Sequence, residues 1–213
     1  MGVSGSTESI ALPSDRSRLI EAMARSCAKR GYAETTIEDV VDDARLGRSD
    51  FDRHFASKEA CAVEAVETIL GKTMVVISAA YSADMSETES TLRGLRAILE
   101  LFAARPALAN LAMIHSRQMM PERGLAVYES GFAVLTAMLS RLRDNLGGEG
   151  EVPGVAARAA IGGAEAVVRR ELLAGQARRL PQLLPDLVYS AAVALLGQDE
   201  AFALAQRARE LQR

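Results

Sequence analysis

Apolar residues recur at helical spacing along nearly the whole chain, and short polar breaks divide it into segments. Leu19, Ile20, Met23, Ala24 and Cys27 form the first stripe, behind Pro13-Ser14, where Ser14 is placed to cap a helix. Gly31 follows it in the position where glycine commonly ends a helix. Ile37, Val40, Val41 and Ala44 then fall at i, i+3, i+4 and i+7. Thr35-Thr36 precede them and Glu38-Asp39 follow, the pattern of a capping box. Arg45-Leu46-Gly47 breaks the period, and the segment 48–55 restores it with Phe51 and Phe55 on one face. Two short helices joined by a tight turn predict a helix-turn-helix, in which the second helix enters a DNA major groove.

Beyond Ser57, a further cap, Val63, Val66, Ile69, Leu70, Met74 and Ile77 keep the 3.6 period and predict one long helix to about Tyr81. Such a helix joins head to body and is the natural lever of a switch. Ser82 to Glu89 is a polar break. Leu92 to Phe102 predicts a helix closed by Arg105-Pro106, Ala107 to Arg117 a short one, and Pro121 to Leu142 a long one. The run GGEGEVPG, 147–154, is the clearest loop. Pro153 opens a helix with a small-residue face, and Pro181 and Pro185 precede a leucine-rich partner. The last segment, from Asp199, is again helical. No strand pattern or repeat is present, so the fold class is all-α. The pattern predicts three helices in an N-terminal head and a larger helical domain after it, expected to hold the ligand and dimer surfaces. The boundaries fall at 1–13 for a small, polar, disordered tail, 14–56 for the head and 57–213 for the body.

Composition narrows this picture. The chain has 213 residues, 49% of them hydrophobic and only 4% aromatic, with a formal net charge of −3. That length supports one small and one larger domain. Residues 1–60 contain nine lysines and arginines against eleven aspartates and glutamates. Nucleic-acid binding must therefore rest on where charge is placed, not on a global field. Cys27 and Cys61 read as small core residues of a reducing cytosol, since a redox or zinc site needs more ligands at closer spacing. No apolar run reaches the roughly 18 residues of a membrane span. The first residues lack a secretory signal's basic and apolar regions. A cytoplasmic protein with no membrane partner is expected.

From Arg18 to Glu59 the chain resembles the DNA-binding head of the TetR family of bacterial transcriptional regulators. The matching pieces are Gly31-Tyr32, Thr35-Thr36, the helix over 37–44, His54-Phe55 and Ser57-Lys58-Glu59. They cover about a fifth of the chain. Two positions depart from the family pattern. The turn reads Ala44-Arg45-Leu46-Gly47, where the family carries Ala-Gly, an apolar residue and Ser or Thr. Asp52 stands where the family has a tyrosine. The resemblance implies a dimeric repressor, whose heads read the halves of a palindromic duplex operator until a small apolar effector releases them. On that basis Thr36, His54 and Lys58 hold phosphates. Arg48 and Ser49 reach bases, Asp50 less favourably, and Arg53 also faces DNA. Two carboxylates, Asp50 and Asp52, oppose the phosphates. A second reading therefore stays open: a TetR-like helical protein that binds a protein or small molecule but no DNA.

In the body, Met74, Phe102, Met113, His115, Met119, Tyr128, Phe132 and Met138 are candidates to line an apolar pocket, because methionine adapts to varied shapes. Glu165 and Arg169 are spaced for a surface ion pair, unless Glu165 faces inward. Ala156, Ala160, Gly163 and Val167 on one helix, with Leu184, Leu187, Val188 and Ala191 on the next, either form a four-helix homodimer interface, which the resemblance to a dimeric family favours, or pack together inside one chain. With two histidines, no GxSxG elbow, no phosphate-binding glycine motif and no metal-ligand spacing, neither enzymatic activity nor a metal or cofactor is expected.

Overall fold

The computed structural model describes residues 14–82, 84–119, 121–146 and 154–212, with the side chains of 117, 118 and 121–128 outside that description. Among the described residues every regular element is helical. The expected tail, 1–13, and all but the last residue of the glycine-rich loop lie outside them.

Helices α1 (Asp15–Arg30), α2 (Ile37–Ala44) and α3 (Arg48–His54) build the head. Local chemistry sets their ends. The Ser14 hydroxyl accepts from the Ser17 N–H at 3.2 Å. Thr36 Oγ1 accepts from the Asp39 N–H at 3.1 Å, and the Asp39 carboxylate accepts from the Thr36 N–H at 2.9 Å, completing the capping box. Gly31 ends α1 at φ 84°, which glycine adopts without strain. Leu19, Met23, Val40 and Phe51 are fully buried where the three helices meet.

Helix α4 (Lys58–Ala80) starts at Ser57, whose hydroxyl accepts from the Ala60 N–H at 3.1 Å. Its first half gives Cys61, Ala65, Val66 and Ile69 to the head core. Its second half gives Ile77 to a separate cluster with Ile98 of α5 (Glu87–Ala104) and Met138 of α8 (Pro121–Asn145). One helix thus belongs to two cores.

A second connection was not foreseen. The chain bends by 106° after α5. The expected short helix over 107–117 is instead α6 (Pro106–Asn110), a π-helical turn (Leu111–His115) and α7 (Ser116–Met119). The π turn changes which side chains face which way. Leu108, Leu111 and Met119 enter the head core, whereas Ala109, Met113 and Ile114 face the body core. Arg105 adds an ion pair to Glu21 of α1 at 2.7 Å.

The body is closed by α9 (Gly154–Leu173), a 3₁₀ turn (Ala177–Leu183), α10 (Leu184–Leu196) and α11 (Gln198–Glu210). Here the expected interface is corrected in part. Gly163 and Val167 stand exposed on α9, and Ala156 and Ala160 are half-buried. Leu184, Val188 and Ala191 of α10 are buried within the protomer, and Leu187 is half-buried beside them. A helix apolar over most of its circumference turns its largest side chains inward. The outward side of α10 carries Asp186, Ser190, Val193 and Ala194 instead. Among the described residues no single helix is long and apolar enough to cross a membrane.

Candidate nucleic-acid interface

Helix α3 is held from beneath and left open above. Phe51 and Phe55 sink into the head core with ring centroids 5.6 Å apart. Arg16 of α1 lies over the Phe55 ring at 4.9 Å, donates to the His54 carbonyl at 3.3 Å and pairs with Glu64 of α4. Arg18 donates to the Ala44 carbonyl at 2.6 Å, placing a cation at the C-terminus of α2. The turn that follows puts Arg45 at φ 55° and ψ 48°, the left-handed position where the resembling family has glycine. Its exposed guanidinium makes no ion pair among the described residues.

The predicted DNA-facing residues divide into two sets. Arg48, Ser49 and Arg53 stand exposed on α3, and His54 is half-exposed at its end. Asp50 is spent locally, since its carboxylate accepts from the Gly47 N–H at 2.9 Å. Glycine has no side chain to cap with, so Asp50 supplies the only side-chain cap of α3. Thr36 likewise spends its hydroxyl on the cap of α2. Lys58 is corrected. Its ammonium donates to the carbonyls of Thr35 at 2.8 Å and Tyr32 at 3.0 Å, and lies 4.4 Å from the Tyr32 ring centre. It clamps the α1–α2 turn instead of standing free for a phosphate. The Asp39 carboxyl is held below the usual range, first by the Thr36 backbone N–H and then by its hydroxyl.

Charge on this face is paired. Arg48 Nε donates to Asp52 at 3.0 Å and Nη1 to Glu38 of α2 at 3.0 Å, and this raises the guanidinium pKa, Asp52 contributing most. Arg53 pairs with Asp50 at 3.2 Å. Arg25, Lys29 and Arg30 of α1 are taken up by Asp43 and Asp39.

The body encloses a cavity of about 250 Å³ between α4, α5, the π turn, α8, α9 and α10. Of the residues read as pocket candidates, Phe102, Met113, Phe132 and Met138 line it. Met74 does not, being 48% exposed on the outside of α4. Met119 packs into the head core and His115 sits half-buried in the π turn, neither among the lining residues. The side chain of Tyr128 lies outside the described residues. Most of the wall is aliphatic and was not singled out from sequence: Ile98, Leu99, Leu135, Leu142 and Ile161, with Leu184, Leu187, Val188 and Ala191 from the expected dimer set. Glu165 lines this cavity, and among the described lining residues it is the one ionisable group. Thr73 and Ser116 also line it, but their hydroxyls donate to carbonyls one helical turn back. Both cysteines are buried away from it. Desolvation pushes the Cys61 thiol up to about 12 and raises Cys27 as well.

Comparison with known proteins agrees with this architecture. Residues 19–65 match the family model described as bacterial regulatory proteins, tetR family. Over 59 residues the chain is 36% identical to YerO, an uncharacterized HTH-type transcriptional regulator of Bacillus subtilis strain 168. That match covers 28% of this chain and 20% of the relative, so the chain aligns with about a fifth of YerO's length. Among solved structures, the fatty acid degradation regulator FadR of Bacillus halodurans superposes with a TM-score of 0.71 at 16% identity, over 89% of this chain and 98% of that one. FadR of Bacillus subtilis, solved in complex with stearoyl-CoA, gives 0.66 at 14% identity, over 84% and 97%. PfmR of Thermus thermophilus, a TetR family transcriptional regulator, gives 0.64 at 21%, over 87% and 98%. At these identities the structures establish the fold. The head, residues 19–65, thus matches the tetR family model in sequence, and most of the chain shares the all-α fold of these structures.

Proposed function

We propose that the protein is a dimeric transcriptional repressor that leaves its operator when a largely apolar ligand fills the body cavity. The observation that carries this reading is the pairing of a helix-turn-helix face, with Arg48, Ser49 and Arg53 exposed on α3, with an apolar hollow in the body. Helix α4 and the π turn contribute to both cores, so a change in the cavity wall has a mechanical route to the head. Two heads related by a two-fold axis would meet the halves of a palindromic duplex one helical turn apart. A protein acting on chromosomal DNA of a bacterium works in the cytoplasm.

The dimer contact runs along the outward side of α9, where Val155, Ala159, Gly163, Ala166 and Val167 are exposed, and continues onto Val193 and Ala194 of α10. Small residues let a second helix approach closely, and nothing lies within 4 Å of where a Gly163 Cβ would stand. Gly163→Trp should yield monomers in sedimentation. An unchanged dimer mass would move the interface elsewhere. For the ligand, the aliphatic wall supports a molecule with an extended hydrocarbon portion. The binding of stearoyl-CoA by a protein of the same fold is in keeping with that class. The reading is tested by anisotropy titration of a labelled duplex from the protein's own upstream region over a salt series. Affinity should fall linearly with the logarithm of salt, because phosphate contacts release counterions.

The acidic head supports a second reading, a helical protein that binds a small molecule or another protein and no DNA. Salt-independent or absent association with every duplex tried would favour it.

A further inference from the structure

We propose that Glu38 and Asp52 form a two-carboxylate gate on Arg48 that sets how strongly the head prefers its own operator over any other DNA. This inference rests on the DNA-binding reading above and names the residues that tune it. Neither carboxylate belongs to a cap or to the core. Both are well exposed on the face of the head that carries α3, one on α2 and one on α3, and both converge on one guanidinium from different sides. Asp52 occupies the helix position where the resembling family presents a tyrosine.

The chemistry of the guanidinium makes the arrangement selective. Arginine has five N–H donors in one plane. The two bonds to Asp52 and Glu38 use the Nε–H and one Nη1–H and leave three donors unused by either carboxylate. Those donors can still reach the O6 and N7 acceptors of a guanine in the major groove. The carboxylates also restrict the side chain's rotamers, so less freedom is lost when a base is read. A phosphate offers no such bargain. To reach it, Arg48 must leave its carboxylates, which then face the anionic backbone unpaired. Generic DNA binding, which rests on phosphate contacts, is penalised more than base reading. Glu38 and Asp52 are therefore positioning residues, acting on DNA through Arg48.

The test uses the full chain with Asp52→Asn, Glu38→Gln and both together, beside the wild type and Arg48→Ala. Two labelled duplexes are titrated over a salt series: one of scrambled sequence, and one recovered from a random pool by selection on the wild type. The double variant should bind the scrambled duplex about tenfold more tightly, with a salt slope steeper by about one unit. Its affinity for the selected duplex should rise less than about threefold, so the ratio between the two collapses. Arg48→Ala should remove the effect of the other substitutions. The paired groups are more than half exposed, so melting temperatures should stay close to wild type, which a purely structural role would not predict. Equal gains on both duplexes mean simple repulsion and overturn the gate. So does a double variant that matches the wild type while the wild type still binds DNA. If the wild type binds neither duplex at any salt, the DNA-binding reading falls and the gate with it.

Discussion

The head and the body of this molecule solve opposite packing problems. In the head the largest side chains meet in a solvent-excluded core: Phe51, Leu19 and Met23 are fully buried. Many polar groups around that core are paired or used as caps, and what remains is an outer face. In the body, residues of the same apolar character come from helices that do not close on one another, and about 250 Å³ stays open between them. A filled unit can offer only its surface to a partner, whereas a hollow unit offers its inside. On the proposed function the head makes the macromolecular contact and the body the small-molecule contact, and the contrast can be attacked from either side.

The largest effect should come from emptying the filled side. Phe51→Ala removes a ring packed on every face and should cost about 3–5 kcal/mol of stability. Phe132→Ala removes a ring that already borders open space, so it should cost less than half as much, roughly 1–2 kcal/mol, by chemical denaturation. Equal losses would mean that the body is as closed as the head.

Next come the ends of α2. Thr36→Ala breaks the capping box and should destabilise the head by about 1 kcal/mol. At the other end, Arg45 holds a left-handed conformation that costs a side-chain-bearing residue about 1 kcal/mol. Arg45→Gly should raise the melting temperature by a few degrees, and a lower one would mean that the Arg45 side chain makes a contact worth more than the strain. Any loss of DNA affinity in that variant would report the backbone contact an unpaired cation can make.

One further effect has no counterpart at neutral pH and appears only in alkali. Burial raises the Cys61 thiol from about 9 to about 12. A group raised on folding contributes stability that is whole below its unfolded value and is lost as pH rises through its folded value. The melting temperature should therefore fall between pH about 9 and about 12, and less steeply in Cys61→Ala. In the native protein at neutral pH neither cysteine should react with a thiol reagent. Fast labelling would contradict the filled head core.

Much of the head was legible in the sequence because its signals are local. Ser14, Thr36 and Ser57 lie within three residues of the amides they cap, and the apolar period of α2 and the Phe51–Phe55 pair fix which faces turn inward. What stayed hidden depends on groups distant in sequence. Lys58 carries a cation that local reasoning leaves free for a phosphate, but its carbonyl partners are more than twenty residues away. The π turn at 111–115 has no short motif and becomes visible only when two cores compete for one segment. The cavity was sought among methionines and aromatics and is walled mainly by leucine and isoleucine, which read in sequence as ordinary core. For the same reason the stripe of α10 read as an interface: a helix apolar on most sides does not say which side meets a partner.

If filling the hollow releases the face, one titration shows it. A compound with a hydrocarbon chain is first chosen because it raises the melting temperature of the wild type and raises it less in Met113→Ala, which places it in the cavity by mass action. The affinity of the wild type for its selected duplex is then measured by anisotropy at fixed salt, with and without a saturating amount of that compound. A loss of about tenfold or more is expected, the size of an ordinary coupling free energy between two sites. A compound that stabilises the body through Met113 and leaves DNA affinity unchanged would contradict it.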